Sequence, residues 1–228
     1  VRSYVSSVSI DFHVQEFISY ENEAGIFYYR FPGQTKGKIS GIVHKEFLKV
    51  TGDGHRIVRD LLNDNPRGIL QLARLELTET EMLNHIPASG EVFTVVPYGN
   101  HARGALFLDD SGSVNEKLER VIDDICGQIP LFYFGRMDIR YQSREELEEG
   151  KSFSILEVNG AGSEPTHMYD PRHSIFFAWK EIIRHWVILF KISRANHKLG
   201  FSYLTVKEGV EMFRKDKRDS RLLEKMKI

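Results

Sequence analysis

The sequence predicts an α+β fold, a largely antiparallel sheet flanked by helices. Three observations carry this. Segments rich in Val, Ile, Phe and Tyr crowd the first half of the 228 residues. Two further strand-like segments, FYFGRMDIRY (132–141) and FSILEVNG (153–160), flank a short polar stretch, as the arms of a hairpin do. From residue 174 onward the pattern is helical. Strands, then a helix, a hairpin and more helices is the order of an α+β chain rather than of repeated βαβ units.

In order along the chain, DFHVQEFISY (11–20), AGIFYYRFP (24–32) and KISGIVHKEFLKV (38–50) read as strands, punctuated by turns at Pro32-Gly33 and Gly52-Asp53-Gly54. The second of these reads as a plain hairpin turn. Residues 56–63 and 67–76 read as short helices, 92–99 as a strand, and ALFLDDSG (105–112) as a strand entering a turn. Residues 114–127 place apolar side chains at 114, 118, 121, 122 and 125, a helical stripe. Residues 174–192 are the most apolar stretch, but Lys180, Glu181, Arg184, His185 and Lys191 interrupt it, so it is not a membrane span. Its apolar face is wide. Burial in this domain or against a missing partner domain is the first expectation, and docking on a membrane surface is the alternative. The tail from Arg214, with seven basic and three acidic residues, reads as a solvated helix or frayed end, or as a contact for an acidic partner. Two parts are expected, residues 1–173 as one lobe and 174–228 as a helical extension packed on it.

Composition narrows the function. Apolar residues at 41% and charged residues at 28% suit a soluble globular protein. A formal net charge of −1 gives no reason to expect nucleic-acid binding. The single cysteine, Cys126, excludes an internal disulfide and lies on the 114–127 stripe, where it reads as an apolar packing residue. No signal peptide opens the chain, and a cytoplasmic setting is expected. The first residue is Val1 rather than Met, which suggests a piece of a longer protein.

The hairpin carries the chemistry. The midpoint between Asp138 and Glu157 falls between Leu147 and Glu148, the centre of SREELEEGKS. A symmetric hairpin sets Asp138 opposite Glu157 and Arg136 opposite Asn159. Alternation then puts Glu157 and Asn159 on one face. Two carboxylates placed opposite each other repel, so the pair makes sense with a cation between them. Carboxylates and an amide oxygen are hard ligands, suited to Mg²⁺ on phosphates. The plainer reading is that they are unrelated carboxylates on a solvated strand, with Arg136 merely neutralising them.

These segments resemble ATP-grasp enzymes, the D-alanine–D-alanine ligase and RimK-like carboxylate–amine ligases, over roughly residues 10–170. The resemblance implies the carboxy-terminal lobe of that fold. It assigns Asp138, Glu157 and Asn159 to two Mg²⁺ ions (with Mn²⁺ a substitute) on the phosphates of ATP. It makes Arg136 a stabiliser of the acyl-phosphate reaction. Asn100 and Arg103, in Gly99-Asn100-His101-Ala102-Arg103-Gly104, match an N-x-x-R-G segment whose Arg faces substrate or γ-phosphate; their plainer reading is as turn residues. Gln15 and Glu16 match the segment that holds the adenine edge. Glu23, by a looser match, falls where an acidic residue contacts the ribose; Glu16 and Glu23 otherwise read as exposed strand residues. The loop Ser163-Glu164-Pro165-Thr166-His167 lies where the ligases bind their second substrate, or is an ordinary connection. His167 and His185 read as packed or surface residues.

The implied activity is an ATP-dependent carboxylate–amine ligase, amide- or ester-forming, with small carboxylate and amine substrates. A non-catalytic nucleotide-binding relic and a carboxylate-pair hydrolase are the other readings. Complete enzymes of the family carry an amino-terminal substrate domain and a lobe with phosphate-binding lysines and a glycine-rich flap. The lobe is therefore expected to be an incomplete domain that partners the missing amino-terminal part, holding metal ligands but no lysine to grip phosphate. A homodimer stays open.

Overall fold

A computed structural model describes residue 12 and residues 14–225. These form an α+β fold with antiparallel sheets flanked by helices, the class expected. Two compact units result, one of Ser19–Ile192 and one of the described parts of Val1–Ile18 and Ser193–Ile228.

In the larger unit the elements follow as β1 (Asn22–Tyr29), β2 (Lys38–Glu46), β3 (Leu48–Thr51), α1 (Val58–Asn63), α2 (Pro66–Thr78), α3 (Thr80–Leu83), β4 (Val92–Val96), β5 (Leu106–Asp109), α4 (Glu116–Gln128), β6 (Phe134–Tyr141), α5 (Arg144–Glu148), β7 (Phe153–Asn159) and most of α6 (Ile175–Lys198). The main sheet runs β5-β2-β1-β6-β7, every neighbour antiparallel. One face of it is apolar. Ala24, Ile26 and Tyr28 of β1, Ile42 of β2 and Met137, Ile139 and Tyr141 of β6 pack on Leu118, Ile122 and Cys126 of α4. That is the stripe read from 114–127, with Asn115 capping the helix through the Leu118 amide. Burial pushes the Cys126 thiol up to about 12, which fits the packing role expected of it.

The other face has two halves. At one end α6 covers Phe27 and Phe134, with Ile192, Ile188 and Leu189 against them. The remaining half is polar and holds the candidate site. A second, smaller core forms where the two-stranded sheet β3–β4 packs on α1, α2 and α3 through Leu48, Val50, Leu62, Leu75, Leu83 and Val96.

Four local expectations need correction. Residues 14–20 form no strand and are mostly exposed, while Asp11 and His13 lie outside the described residues. The run 38–50 is two strands in two sheets, divided at Phe47. The Gly52-Asp53-Gly54 turn does not close a hairpin. Instead Gly52 bonds Glu91 and Gly54 bonds Pro87, because β3 pairs with β4 across three intervening helices. The polar stretch 143–152 contains the short helix α5, capped by Ser143 on the Glu146 amide. Pro32-Gly33 does turn the chain, with Gln34 N–H donating to Phe31 O and Gly33 at φ +83°.

In the smaller unit, His197 bonds the Phe201 carbonyl and stacks on Tyr203. Thr205 and Glu208 form a reciprocal capping box at the start of α7 (Val206–Lys225). Among the described residues no helix is long and apolar enough to cross a membrane.

Candidate functional site

The β6–β7 pairing sets Asp138 opposite Glu157 and Arg136 opposite Asn159, the register derived from hairpin symmetry. A bulge then follows between Asp138 and Ile139, so Ile139 faces Ile155. Bulges of this kind re-aim side chains beside sites. On the other side β1 sets Glu23 opposite Arg140, Gly25 opposite Asp138 and Phe27 opposite Arg136. Strand alternation places all of these on one sheet face, with Lys45 of β2 two residues from Val43, the partner of Gly25.

The side chains make a buried ion network. Lys45 Nζ lies 3.1 Å from Glu23 Oε1 and 3.1 Å from Asp138 Oδ1. Arg136 grips Asp138 with both arms, Nε to Oδ1 and Nη2 to Oδ2, each at 3.0 Å. Arg140 Nε reaches Glu23 Oε2 at 3.3 Å, and its Nη2 donates to the Pro97 carbonyl. Glu23, Lys45, Asp138 and Arg140 are all buried, whereas Glu157 is exposed and Arg136 and Asn159 are half-buried. The Asn159 carboxamide satisfies its neighbours with its nitrogen 3.0 Å from Glu157 Oε1 and its oxygen 3.3 Å from Arg136 Nη2. Buried charges persist only when paired, and here three cations surround two buried carboxylates. The face thus carries a surplus of positive charge beside one exposed carboxylate.

Two glycines make room. A Cβ on Gly25 would sit 2.9 Å from both Asp138 Oδ1 and Val43 Cγ1. A Cβ on Gly99 would sit 2.5 Å from Glu23 Oε1 and from Lys45 Cδ, and the Gly99 amide donates to Glu23 Oε2 at 3.1 Å. Gly99 therefore pins the 99–104 segment beside the network. Asn100 is exposed, and Arg103 is half-buried in a short 3₁₀ turn that ends at Gly104. Next to Lys45 an open polar depression of about 470 Å³ is bordered by His44, Glu46, Lys49, Asn65 and Arg67.

The network differs from expectation at three points. Lys45 was not singled out, and its ammonium is held inside the network by Glu23 and Asp138. Arg140 was likewise overlooked. Glu23 is not an exposed strand residue, since both its oxygens are bound inside the network. A period-2 reading of KISGIVHKEFL carries the missed signal, because Lys45 shares a strand face with Val43. Gln15 and Glu16 belong to the smaller unit, where both are exposed. Among the described residues, no group of three or more His, Cys, Asp or Glu is arranged to hold a metal ion.

Beside the site, the loop after β7 is held by a second buried polar group. Arg136 Nη1 reaches the Glu164 carbonyl at 3.5 Å. His167 bonds Glu181 of α6 at 3.0 Å, Arg184 bonds the same carboxylate and the Ser40 carbonyl, and His185 bonds Ser40 Oγ at 2.9 Å. His167 and His185 are buried, as packed histidines. A cavity of about 270 Å³ lies between this loop and α6, lined by Phe134, Ser163, Glu164, Met168, Ile182 and Leu189.

Burial pushes the His185 imidazole down to about 4 from its ordinary 6.5. Burial also opposes the Glu181 charge, but hydrogen bonds from His167 and Arg184 outweigh it and bring this carboxyl down to about 2. Both groups bind protons more readily in the unfolded chain. Their contributions are complete above pH 6.5 and are lost as pH falls, first through the His185 range and then through that of Glu181. Urea midpoints measured from pH 7 to pH 4 should therefore decline, and a His185→Gln variant should flatten that decline. A midpoint independent of pH over this range would refute the assignment.

The fold and site define an α+β chain with a buried, cation-rich carboxylate network on one face of an antiparallel sheet. No protein-family model and no curated protein sequence matches the chain. Among solved structures, it is similar to a bifunctional glutathione synthetase from Pasteurella multocida at 15% sequence identity and a TM-score of 0.45. The match covers 75% of this chain and 24% of that one, so this chain spans about a quarter of that protein's length. At this level the likeness carries no argument.

Proposed function

We propose that this chain provides the nucleotide and metal side of an ATP-dependent carboxylate–amine ligase of the ATP-grasp type. The observation that carries the reading is the cross-strand pair Asp138–Glu157, with Arg136, Asn159 and Lys45 converging on it. Two carboxylates and an amide oxygen are the donors a hard divalent cation takes. Glu157 would be the exposed ligand, and Asp138 would join it by exchanging its Arg136 pairing for the cation. Mg²⁺ bound there with ATP would supply neutralisation of phosphate charge.

The chain's own residues do the rest by position and charge. Arg136 offsets negative charge developing on the transferred phosphoryl group as the substrate carboxylate attacks. Lys45, fixed between Glu23 and Asp138, presents a second fixed cation, and Glu23 acts as its buried anchor rather than as a ribose contact. Arg103 and Asn100 border the substrate side on the segment pinned by Gly99. The 160–171 loop borders the amine that displaces phosphate.

A second reading, a nucleotide-binding relic, is favoured by one observation: both Asp138 oxygens are already taken by Arg136 and Lys45. Release of ADP and phosphate by the full-length protein, with amino acids and peptides as candidate substrates, separates the two. Substrate-dependent release is expected. Measurable Mg-ATP binding with no release for any substrate would establish the relic.

A further inference from the structure

The outward side of α6 faces away from the ion network, although Trp186 also borders the cavity beside the 160–171 loop. Phe176, Trp179, Ile183, Trp186 and Val187 keep 44% to 72% of their surface exposed. Glu181, His185 and Ile192 form the opposite, buried side of the same helix. The outward residues recur at intervals of three and four, the spacing of a helix that packs lengthwise along another helix. Phe190, 62% exposed beside the contact it already makes, continues the stripe. Summed with the full areas of such side chains, the exposed part is roughly 700 Å². Soluble monomers rarely leave so large an apolar strip open.

The order of side chains points to the occupant. From Ile183 the stripe reads nearly alike in both directions, with Phe176 seven residues before and Phe190 seven after, and Trp179 four before and Trp186 three after. An interface on a two-fold axis must be complementary to itself. In an antiparallel pair centred on Ile183, Phe176 meets Phe190, Trp179 meets Val187, and Ile183 meets its own copy. Lys180 falls opposite the ring of Trp186, where a cation is favoured. Arg184 falls opposite Ile182, and Lys191 opposite Ile175, so none of these three cations faces another. Two such faces bury about 1,400 Å², within the range of specific dimers.

We propose that the chain forms a homodimer by antiparallel pairing of α6 with α6 of a second copy, on an axis through Ile183. The test uses the whole protein. An Ile183→Cys variant lies on the axis and should form a disulfide-linked dimer in near-complete yield under mild oxidation. The native Cys126 is buried and does not compete. Phe176→Cys alone should not cross-link, but mixed with Phe190→Cys it should. The chain's two tryptophans, Trp179 and Trp186, both sit on the stripe. Dilution from about 100 µM to about 0.1 µM, spanning the range of ordinary affinities, should halve the sedimenting mass and shift their emission to the red. Ile183→Glu should be monomeric throughout with its thermal transition retained. A monomer at 100 µM, a dimer that Ile183→Cys fails to link, or a blue shift that appears only with phosphatidylcholine–phosphatidylglycerol vesicles would each overturn the proposal.

Discussion

Replacing Lys45 with Met should lower the free energy of unfolding by about 3 kcal/mol, the scale of a broken buried ion pair. The ammonium lies 3.1 Å from each of two buried carboxylates, and the side chains of Lys45 and Glu23 expose only 5% of their surface. Without it, Glu23 retains Arg140 and Asp138 retains Arg136, but the two carboxylates lose the charge between them. Methionine replaces the stem's packing, so the loss is electrostatic. The Lys151–Glu149 pair is the control. Its partners are 68% and 59% exposed, and Lys151→Met should leave the urea midpoint essentially unchanged. Urea unfolding of both variants decides the matter, and equal effects would show that the network is not a buried one. Adding Glu23→Gln to Lys45→Met should recover part of the loss, because an uncompensated carboxylate is removed.

Local relations were legible in the sequence and long-range ones were not. The Asp138–Glu157 register followed from counting, since a short antiparallel hairpin leaves few alternatives. The stripe 114–127 and the Pro32-Gly33 turn depend on neighbours only. Lys45 and Glu23 depend on β1 sitting between β2 and β6, and β6 lies more than 100 residues along the chain from β1. No local pattern announces that pairing. The same holds for β3, whose partner β4 follows three helices and whose Gly52-Asp53-Gly54 end looks like a hairpin turn. The helix α5 inside the hairpin connection was readable from its Ser143 cap and was missed because the stretch is uniformly polar. Residues 14–20 alternate like a strand but take no strand conformation, because β-propensity needs a neighbouring strand to act on.

Glu157 separates function from fold more sharply than any other residue of the site. Its cross-strand partner Asp138 is buried and held by two cations, so Asp138→Asn changes the network's charge balance and its stability together. Glu157 is exposed on the edge strand β7, with the Asn159 carboxamide as its close polar neighbour among the described residues. A surface carboxylate of this kind is worth little to folding, and Glu157→Gln should leave stability within about 0.5 kcal/mol of wild type. Gln keeps the shape and one oxygen but removes the charge that a divalent cation on triphosphate requires. In the full-length protein, ATP turnover should fall by about 10³-fold, the scale seen when one preorganised electrostatic contact to a developing charge is lost. Raising Mg²⁺ or replacing it with Mn²⁺ should recover part of the rate if the loss is in metal affinity. Wild-type turnover in Glu157→Gln would remove the metal role from this strand pair and leave Arg136 and Lys45 as a purely structural clasp on Asp138.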